Sequence, residues 1–368
     1  MIYRSKKEYI DQYFKSKRFS NSFLRGIIKP HIFYQKMNQE DRDDGEKRHF
    51  RIGSALDTLL TRDITEFDKE YYIATVTKPR GKMGEFLDAL PMGLHKDSPK
   101  ELFQDAYNKA NYHWGLDNVL GCMFDPSKKS YKADNYDYYR AREMANEKTV
   151  LSKDEYEEIM YASKALASHP FIKEIIFNIK RDEDIFTQVP ILYEVNGVKC
   201  KCMLDFVIVN KTKKTFWPID LKSTGRSLKG FKSSFLSNGY LTQAGSYYYA
   251  IGEFLQGRAT ILDPELHDKL SSYEGYTLET FSFIVAETNP RYQNKPRIFD
   301  CTEADLEAGL YGGITKQGKR YKGFIQLLED FIWHNEMNYW ELPKDIFLHN
   351  GRDKIGVFEE NIDGEDDE

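Results

Sequence analysis

The sequence contains few cysteines and no long apolar run. It has four cysteines in 368 residues, too few and too scattered for a disulfide framework or an iron–sulfur cluster. No apolar stretch approaches the roughly 20 residues needed to span a bilayer, and the amino terminus lacks the apolar segment of a signal peptide. We therefore expect a cytoplasmic protein without membrane association. Its thiols should be reduced and buried, at Cys122, Cys200, Cys202 and Cys301.

The chain as a whole also lacks a strong net charge, since it carries −5. One segment differs because it is strongly basic. Between Lys199 and Lys232, nine basic residues accompany two acidic ones, Asp205 and Asp220. The local excess favours a phosphate-facing groove around these acids, although an ordinary solvated surface is the simpler interpretation of any single lysine. The candidate DNA-binding residues are Lys199, Lys201, Arg226, Lys229 and Lys232.

Three strand-like runs contain or flank the two acids. They cover residues 184–194, 199–209 and 215–223. Asn196-Gly197 between the first two runs is a strong hairpin signal, and the polar segment NKTKKT between the second and third suits a short turn. The pattern predicts an antiparallel three-stranded meander.

Helical patterns flank the meander. Ser152 and Glu155 match a capping box that opens a helix ending at His169. After the meander, residues 228–256 have a helical pattern that is broken near Gly239. Helices on both sides of the strands predict an α/β fold with a mixed central sheet.

Two further elements lie outside this region. Gly53 is predicted to open a compact helix over residues 51–63, which carries Asp57 beside its apolar face, and residues 281–288 resemble a buried strand. Seven of the last ten residues are acidic, as in a solubilising tail. We divide the chain into a mainly helical amino-terminal region that contributes Asp57 (1–150), a core (151–340) and a carboxy-terminal segment with an acidic tail (341–368).

Turn geometry places the acids in one row. Residues that face each other across a hairpin have numbers with a constant sum. A turn centred on 196 and 197 makes Gln188 face Asp205, and a turn centred on 212 and 213 makes Asp205 face Asp220. Pro218 lacks an amide donor and favours strand starts or bulges, so a register one residue away is the alternative.

Opposed acids suggest a metal site. Carboxylates facing each other on neighbouring strands have Cβ atoms roughly 4.5–5.5 Å apart and repel unless they are neutralised, and oxygen ligands suit Mg²⁺. Lys222 shares a strand face with Asp220 and could orient water toward a phosphate. An isolated Asp-x-Lys pair is usually an ordinary surface ion pair. Its coincidence with Asp205 favours the functional interpretation.

The order of these motifs resembles a known family. An acid, a hairpin, Asp220-Leu-Lys222 and then Gln243-Ala-Gly-Ser-Tyr247 are similar to the PD-(D/E)XK nuclease core with the Gln-x-x-x-Tyr motif of the RecB-like branch. Gln243 and Tyr247 lie on one helix face. The resemblance is nearest to the RecE-type phage exonucleases and covers most of residues 50–290, through GSALDTLL, GVKCKCMLD, IDLKSTG and GYLTQAGSYYYAI.

This resemblance implies a restriction-endonuclease-like core and an Mg²⁺-dependent exonuclease acting on ends of linear duplex DNA in phage-type recombination, with Mn²⁺ able to substitute. It also implies a single-strand annealing protein as partner and a ring-shaped homo-oligomer. Lys222 would position the attacking water, and Gln243 with Tyr247 would orient Lys222 or the DNA backbone. The implied metal ligands are Asp57, Asp205, Asp220 and the Leu221 carbonyl.

The chain departs from the family pattern at two positions. Asp57 stands where the family often has a histidine, and Gln188 stands where it usually has a glutamate. Glutamine offers an amide oxygen as an auxiliary ligand but removes one charge. Two alternatives stay open: an endonuclease of the same fold, and a DNA-binding module without catalysis, for which Gln188 is the best argument. Residues 64–150 receive no function from the sequence.

Overall fold

The structure is a computed structural model that describes residues 1–38, 47–315 and 318–352. The acidic run at 359–368, predicted to be a tail, lies outside the described residues. Within the described ranges, no helix is both long enough and apolar enough to cross a membrane. These residues form twelve β-strands and seventeen α-helices.

The strands are β1 (Ile2–Arg4), β2 (Tyr71–Ile73), β3 (Thr149–Leu151), β4 (Glu183–Val195), β5 (Val198–Asn210), β6 (Thr215–Thr224), β7 (Thr260–Ile261), β8 (Thr277–Leu278), β9 (Ser282–Glu287), β10 (Arg297–Asp300), β11 (Gly313–Ile314) and β12 (Arg320–Tyr321). The helices are α1 (Lys7–Lys15), α2 (Asn21–Leu24), α3 (Pro30–Asn38), α4 (Arg48–Asp57), α5 (Ile64–Glu70), α6 (Lys82–Ala89), α7 (Glu101–Lys109), α8 (Leu116–Phe124), α9 (Ala133–Ala145), α10 (Lys153–Ser168), α11 (Ile172–Ile176), α12 (Phe231–Ser237), α13 (Tyr240–Leu255), α14 (Pro264–Ser271), α15 (Glu303–Tyr311), α16 (Phe324–Met337) and α17 (Lys344–Leu348).

Eight of the strands form one mixed sheet. Its order is β1-β4-β5-β6-β9-β10, with β7 added to β4 and β8 added to β6. β4, β5 and β6 are antiparallel neighbours, whereas β1 and β9 run parallel to β4 and β6 respectively. The predicted meander, the α/β class and the buried strand near residue 281 are therefore confirmed.

Both registers derived from the turns are correct over the paired rows, but the predicted pairs Gln188 with Asp205 and Asp205 with Asp220 are not themselves among these rows. Thr187 pairs with Phe206, and Phe206 pairs with Ile219, as the two sums require. Pro218 lies inside β6 opposite Val207 and causes no slip. On its other edge, β6 pairs with β8 up to residue 216 and with β9 from residue 219, so the missing amide donor falls between two partners.

In β4 and β5, the alternation of side chains between the two faces of the sheet shifts by one residue at a single row. In β5, Cys202 and Leu204 belong to one apolar core before this row, whereas Val207 and Val209 belong to it afterwards. The matching change in β4 occurs at Gln188, whose φ of 53° lies in the left-handed region. Such a backbone costs on the order of 1–3 kcal/mol for a non-glycine residue and persists only when its surroundings enforce it. Because both strands shift together, the register is kept.

Helices cover both faces of the sheet. On one face, α13 and α16 pack over strand residues such as Val207 and Phe283. On the other face, α4 and α10 pack over Phe206, Ile219 and Ile284. The central parts of β4, β5 and β6 are thus buried between two helical layers, which explains why these strands are apolar on both sides.

The helix containing Asp57 differs from its prediction. α4 begins at Arg48, so Gly53 lies in its middle and does not open it. A Cβ atom at Gly53 would meet Ser223 Oγ at 3.5 Å, which is ordinary contact with β6. After Asp57 the helix continues as a π-helical turn over Thr58–Arg62. Such turns are rare and often occur at functional sites.

The helices on either side of the meander agree with the sequence. α10 begins with the predicted capping box, in which the Ser152 N–H donates to Glu155 over 2.9 Å. α12 and α13 are separated at Gly239, whose φ of 71° ends one helix and starts the next.

Residues 76–150 have an apolar core of their own. α6, α7, α8 and α9 enclose it, with Phe86, Phe103 and Tyr139 fully buried. The amino terminus instead joins the central sheet, because β1 pairs with β4. The division of the chain at residues 150 and 340 remains a prediction.

Candidate active site

Asp205 lies where β5 and β6 separate. Phe206 and Ile219 form the last paired row before it, and β6 then continues alongside β9. The Leu221 N–H donates to Asp205 Oδ2 over 2.7 Å. Gln188 Nε2 approaches Asp205 Oδ1 at 3.5 Å. The gap between the two strands therefore places an acid against the backbone of the Asp-Leu-Lys motif.

Asp220 has two polar neighbours. Its Oδ1 accepts a 2.6 Å hydrogen bond from Gln243 Nε2 on α13. Its Oδ2 lies 2.5 Å from Lys222 Nζ. The predicted effect of Gln243 on Lys222 would therefore act through Asp220. Gln243 holds Asp220, and Asp220 holds Lys222.

Asp57 enters the site from the opposite helical layer. Its Oδ2 accepts a 2.6 Å hydrogen bond from Gln188 Nε2, across 131 positions of sequence. In the part of the chain that the structure describes, Asp57 Oδ1 and Asp220 Oδ2 are buried and receive no hydrogen bond of acceptable geometry. The ion pair with Lys222 only partly offsets this for Asp220.

Burial raises the pKa of all three carboxyls, and repulsion from the neighbouring acids adds to this for Asp57 and Asp205. For Asp57, burial followed by the charge of Asp220 raises the pKa to about 7. For Asp205, burial followed by the charges of Asp57 and Asp220 raises the pKa well above its usual value. Burial also raises the pKa of Asp220, against the opposing effect of Lys222. The site thus concentrates more negative charge than its own groups neutralise.

Lys222 remains an ammonium in this setting. Burial lowers its pKa, but the charges of Asp220 and Asp205 outweigh burial and raise it above the usual value. The Lys222 ammonium also lies 5.1 Å from the centre of the Tyr240 ring, a cation–π distance. Tyr240 was not predicted. It begins α13 directly after Gly239, and no spacing rule in the sequence connects it with Lys222.

The donor set fits a hard cation, although the ligands are not preassembled. Among the described residues, no three Asp, Glu, His or Cys side chains form a ready metal centre. Gln188 and the Leu221 N–H occupy oxygens of Asp57 and Asp205. Asp57 Oδ1, which lacks a hydrogen bond among the described residues, and Asp220 Oδ2, which pairs with Lys222, are nevertheless carboxylate oxygens of the kind that Mg²⁺ prefers. Leu221 takes part here through its N–H, and its carbonyl as a ligand remains a proposal.

Tyr247 packs at the edge of the core. Its ring meets Phe281 in an edge-to-face contact at 6.2 Å. Burial raises the pKa of Tyr247, with smaller contributions from Tyr13 and then Asp220, so the phenol lies near the acids and stays neutral. Its proposed role in orienting Lys222 or DNA therefore rests on proximity alone.

The structure places two of the predicted DNA-contacting residues away from the surface around the acids. Lys201 is buried, and its Nζ donates to the carbonyls of Tyr13, Phe14 and Ser16 at the end of α1. It therefore stabilises a helix carboxyl terminus. Lys199 is exposed but lies six residues along β5 from Asp205, roughly 20 Å away.

The remaining basic residues divide into two sets. Those of the β5–β6 turn lie at the far end of these strands, where Lys211 pairs with Asp184. Arg226, Lys229 and Lys232 are exposed and follow β6 directly. Apart from Lys199, the exposed basic residues of the run 199–232 are thus divided between the β5–β6 turn and the segment after β6, and do not form one continuous stretch around the acids.

Comparison with known proteins gives little further information. No family model and no curated protein matches the chain. Among solved structures, the crystal structure of a proposed exonuclease from Eubacterium rectale is similar, with a TM-score of 0.35 and 15% identity, over 82% of this chain and 79% of that chain. A likeness at this level decides neither family nor function, and both remain proposals.

Proposed function

We propose that this protein is an Mg²⁺-dependent deoxyribonuclease with a PD-(D/E)XK-type core, which hydrolyses phosphodiester bonds from the ends of linear duplex DNA. One observation carries the proposal. Asp57, Asp205 and Asp220 meet beside Lys222, where among the described residues Asp57 Oδ1 is buried without a hydrogen bond and Asp220 Oδ2 has only its ion pair with Lys222. Burying acids in a way that raises their pKa destabilises the folded state, so folding by itself does not explain the arrangement. Such sites are often functional.

The residues have distinct tasks in this reaction. Asp57, Asp205 and Asp220 would hold the cation, with Gln188 as an auxiliary amide ligand. A bound Mg²⁺ supplies charge neutralisation for the phosphate and lowers the pKa of water. Lys222 cannot act as a base because its pKa is raised, so it stabilises negative charge on the phosphate or orients the attacking water.

The finer parts of the proposal rest on the resemblance alone. They are a role in phage-type recombination, a cytoplasmic location, a single-strand annealing protein as partner and a ring-shaped homo-oligomer. Mn²⁺ is expected to replace Mg²⁺, since both accept oxygen ligands.

A non-catalytic DNA-binding module is the second candidate. It is favoured by Gln188, whose amide donates to Asp57 where a carboxylate would bind a cation. One assay separates the candidates. End-labelled linear duplex and covalently closed circular DNA are incubated with Mg²⁺, Mn²⁺ or EDTA.

For the exonuclease we expect digestion of the linear duplex with either cation, none with EDTA, and an intact circle. Cleavage of the circle selects the endonuclease alternative. Binding without cleavage of either DNA selects the non-catalytic module and refutes the proposal.

Gln188 should control how strongly the site depends on a cation. Gln188→Glu removes the donor to Asp57 and adds a buried charge, so we expect the free energy of unfolding in EDTA at pH 8 to fall by about 3 kcal/mol or more. The loss should be smaller at pH 5, because the new carboxyl has a raised folded pKa and destabilises only as pH rises and it ionises. Urea unfolding with and without Mg²⁺ measures both effects, and Mg²⁺ should stabilise this variant more than the parent.

Gln188→Met is the matched control. It removes the same donor without adding charge, and we expect a loss of about 1–3 kcal/mol with little further change between pH 5 and pH 8. Equal pH dependence in the two variants would contradict the electrostatic account.

A further inference from the structure

A large cleft lies beside the helical region that received no function from the sequence. It has a volume of 1380 Å³ and lies between the first turn of α4, the start of α6, the end of α9, the start of α10 and the loop after β9. Nine basic and six acidic side chains line it. We call it the basic cleft. Its charge is opposite in sign to the −5 of the whole chain.

Much of the acidic lining is neutralised internally. Arg48 pairs with Asp154 and Glu158, and Arg51 pairs with Glu155 at 2.6 Å. Asp88, a further acid of the lining, forms an ion pair with Lys78. These pairs fix the walls of the cleft, and Arg142 and Lys148 donate to the backbone carbonyls of Leu87 and Asp68.

Three cations stand out among those that remain. Lys47, Arg80 and Arg291 are exposed and come from three different walls of the cleft. Within residues 1–38, 47–315 and 318–352, no carboxylate lies within ion-pair distance of any of them. Arginine and lysine side chains converging on an open groove are the usual ligands of a phosphate backbone.

The size of the basic cleft and the many charged side chains that line it argue against a small molecule. Pockets for small ligands usually measure about 300–1,000 Å³ and are mostly apolar. We propose that the basic cleft binds the phosphate backbone of duplex DNA and that the helical region 76–150 exists in part to form its wall. This inference rests on the proposed function, because it assigns the path of the same substrate.

Two elements connect the basic cleft with the acid cluster. α4 contributes Arg48 at its first turn and Asp57 at its end, nine residues or about 13.5 Å apart. That length corresponds to about four base pairs of duplex at 3.4 Å each. On the other side, Thr288 N–H bonds to Thr224 O at the end of β6, and the loop that follows it carries Arg291. This continuity favours DNA over an acidic protein as the occupant.

The test compares a triple variant, Lys47→Gln, Arg80→Gln and Arg291→Gln, with a matched control, Lys96→Gln, Lys129→Gln and Lys213→Gln. All six side chains are exposed, and the control positions lie outside the cleft. Fluorescence anisotropy of a labelled 30-base-pair duplex is measured in EDTA over a salt series. Loss of three phosphate contacts should reduce the log–log salt slope by about 2.7, so a fourfold rise in salt weakens the parent about 40-fold more than the cleft variant.

Two outcomes overturn the inference. One is a salt slope unchanged in the cleft variant, as expected if the cleft receives an acidic protein. The other is an equal change in the control. Cleavage of linear duplex is measured separately, and the cleft variant should show a raised KM with unchanged kcat. If the parent cleaves no DNA, the proposed function fails while the salt slopes still decide the inference about the cleft.

Discussion

Asp220→Asn should abolish DNA cleavage, lowering the rate about a thousandfold or more, while the protein still folds. Asp220 accepts from Gln243 and pairs with Lys222, so its charge connects the helix, the strand and the proposed cation. Stability should change little. The substitution removes a partner of Lys222 but also relieves the repulsion that Asp220 exerts on Asp57 and Asp205.

The measurement is digestion of end-labelled linear duplex with Mg²⁺, accompanied by urea unfolding and DNA binding. Asp268→Asn is the control, because Asp268 is exposed on α14, far in sequence from the acid cluster. If Asp220→Asn digests DNA as fast as the parent, the proposed mechanism is wrong. If it fails to fold, the activity of Gln243→Met, which leaves the charge of Asp220 in place, provides the test instead.

Lys222→Met should produce the largest loss of stability in the molecule at alkaline pH. The substitution keeps the apolar stem but leaves three buried carboxyls without their nearest cation. We expect the free energy of unfolding at pH 8 in EDTA to fall by about 3–5 kcal/mol. Cleavage should be lost as well.

The sign of the pH dependence follows from the raised carboxyl pKa values. A carboxyl whose pKa is higher in the folded state contributes stability that is full below its unfolded pKa, near 4, and lost as pH rises through its folded pKa. That folded pKa is already about 7 for Asp57, and removing Lys222 raises it further. Lys222→Met should therefore be far closer to the parent at pH 5 than at pH 8.

The double variant Asp220→Asn, Lys222→Met is the control for this effect. It removes both members of the pair, so part of the lost stability at pH 8 should return. Parallel curves of stability against pH for the parent and Lys222→Met would contradict a role for Lys222 in neutralising the cluster.

The pairing of β4, β5 and β6 and the positions of the two acids within it could be predicted, because short-range sequence signals determine them. Asn196-Gly197 and a four-residue turn at 211–214 set two registers, which place Asp205 and Asp220 at the same end of a strand pair. Pro218 does not disturb this register, because β6 has no paired partner at this residue on its β8–β9 edge.

The rest could not be predicted because it depends on contacts between distant residues. The left-handed backbone at Gln188 accompanies contacts of its side chain with Asp57 and Asp205, which are distant in sequence. Lys201 looked like a phosphate ligand because its sequence does not reveal that α1 ends above it. Gln243 was placed in the site correctly, but its partner depends on how α13 packs over β6.

The contact between Asp57 and Gln188 also affects which part of the structure opens first. It closes a loop of 131 positions, whereas the Leu221–Asp205 contact closes one of 16. The longer closure costs about 1.9 kcal/mol more in chain entropy. Because Asp57 reaches the acids only through the packing of α4, a local opening of that helix would dismantle the site and leave the meander folded. We therefore expect the acid cluster to come apart at a lower denaturant concentration than the one that unfolds the sheet.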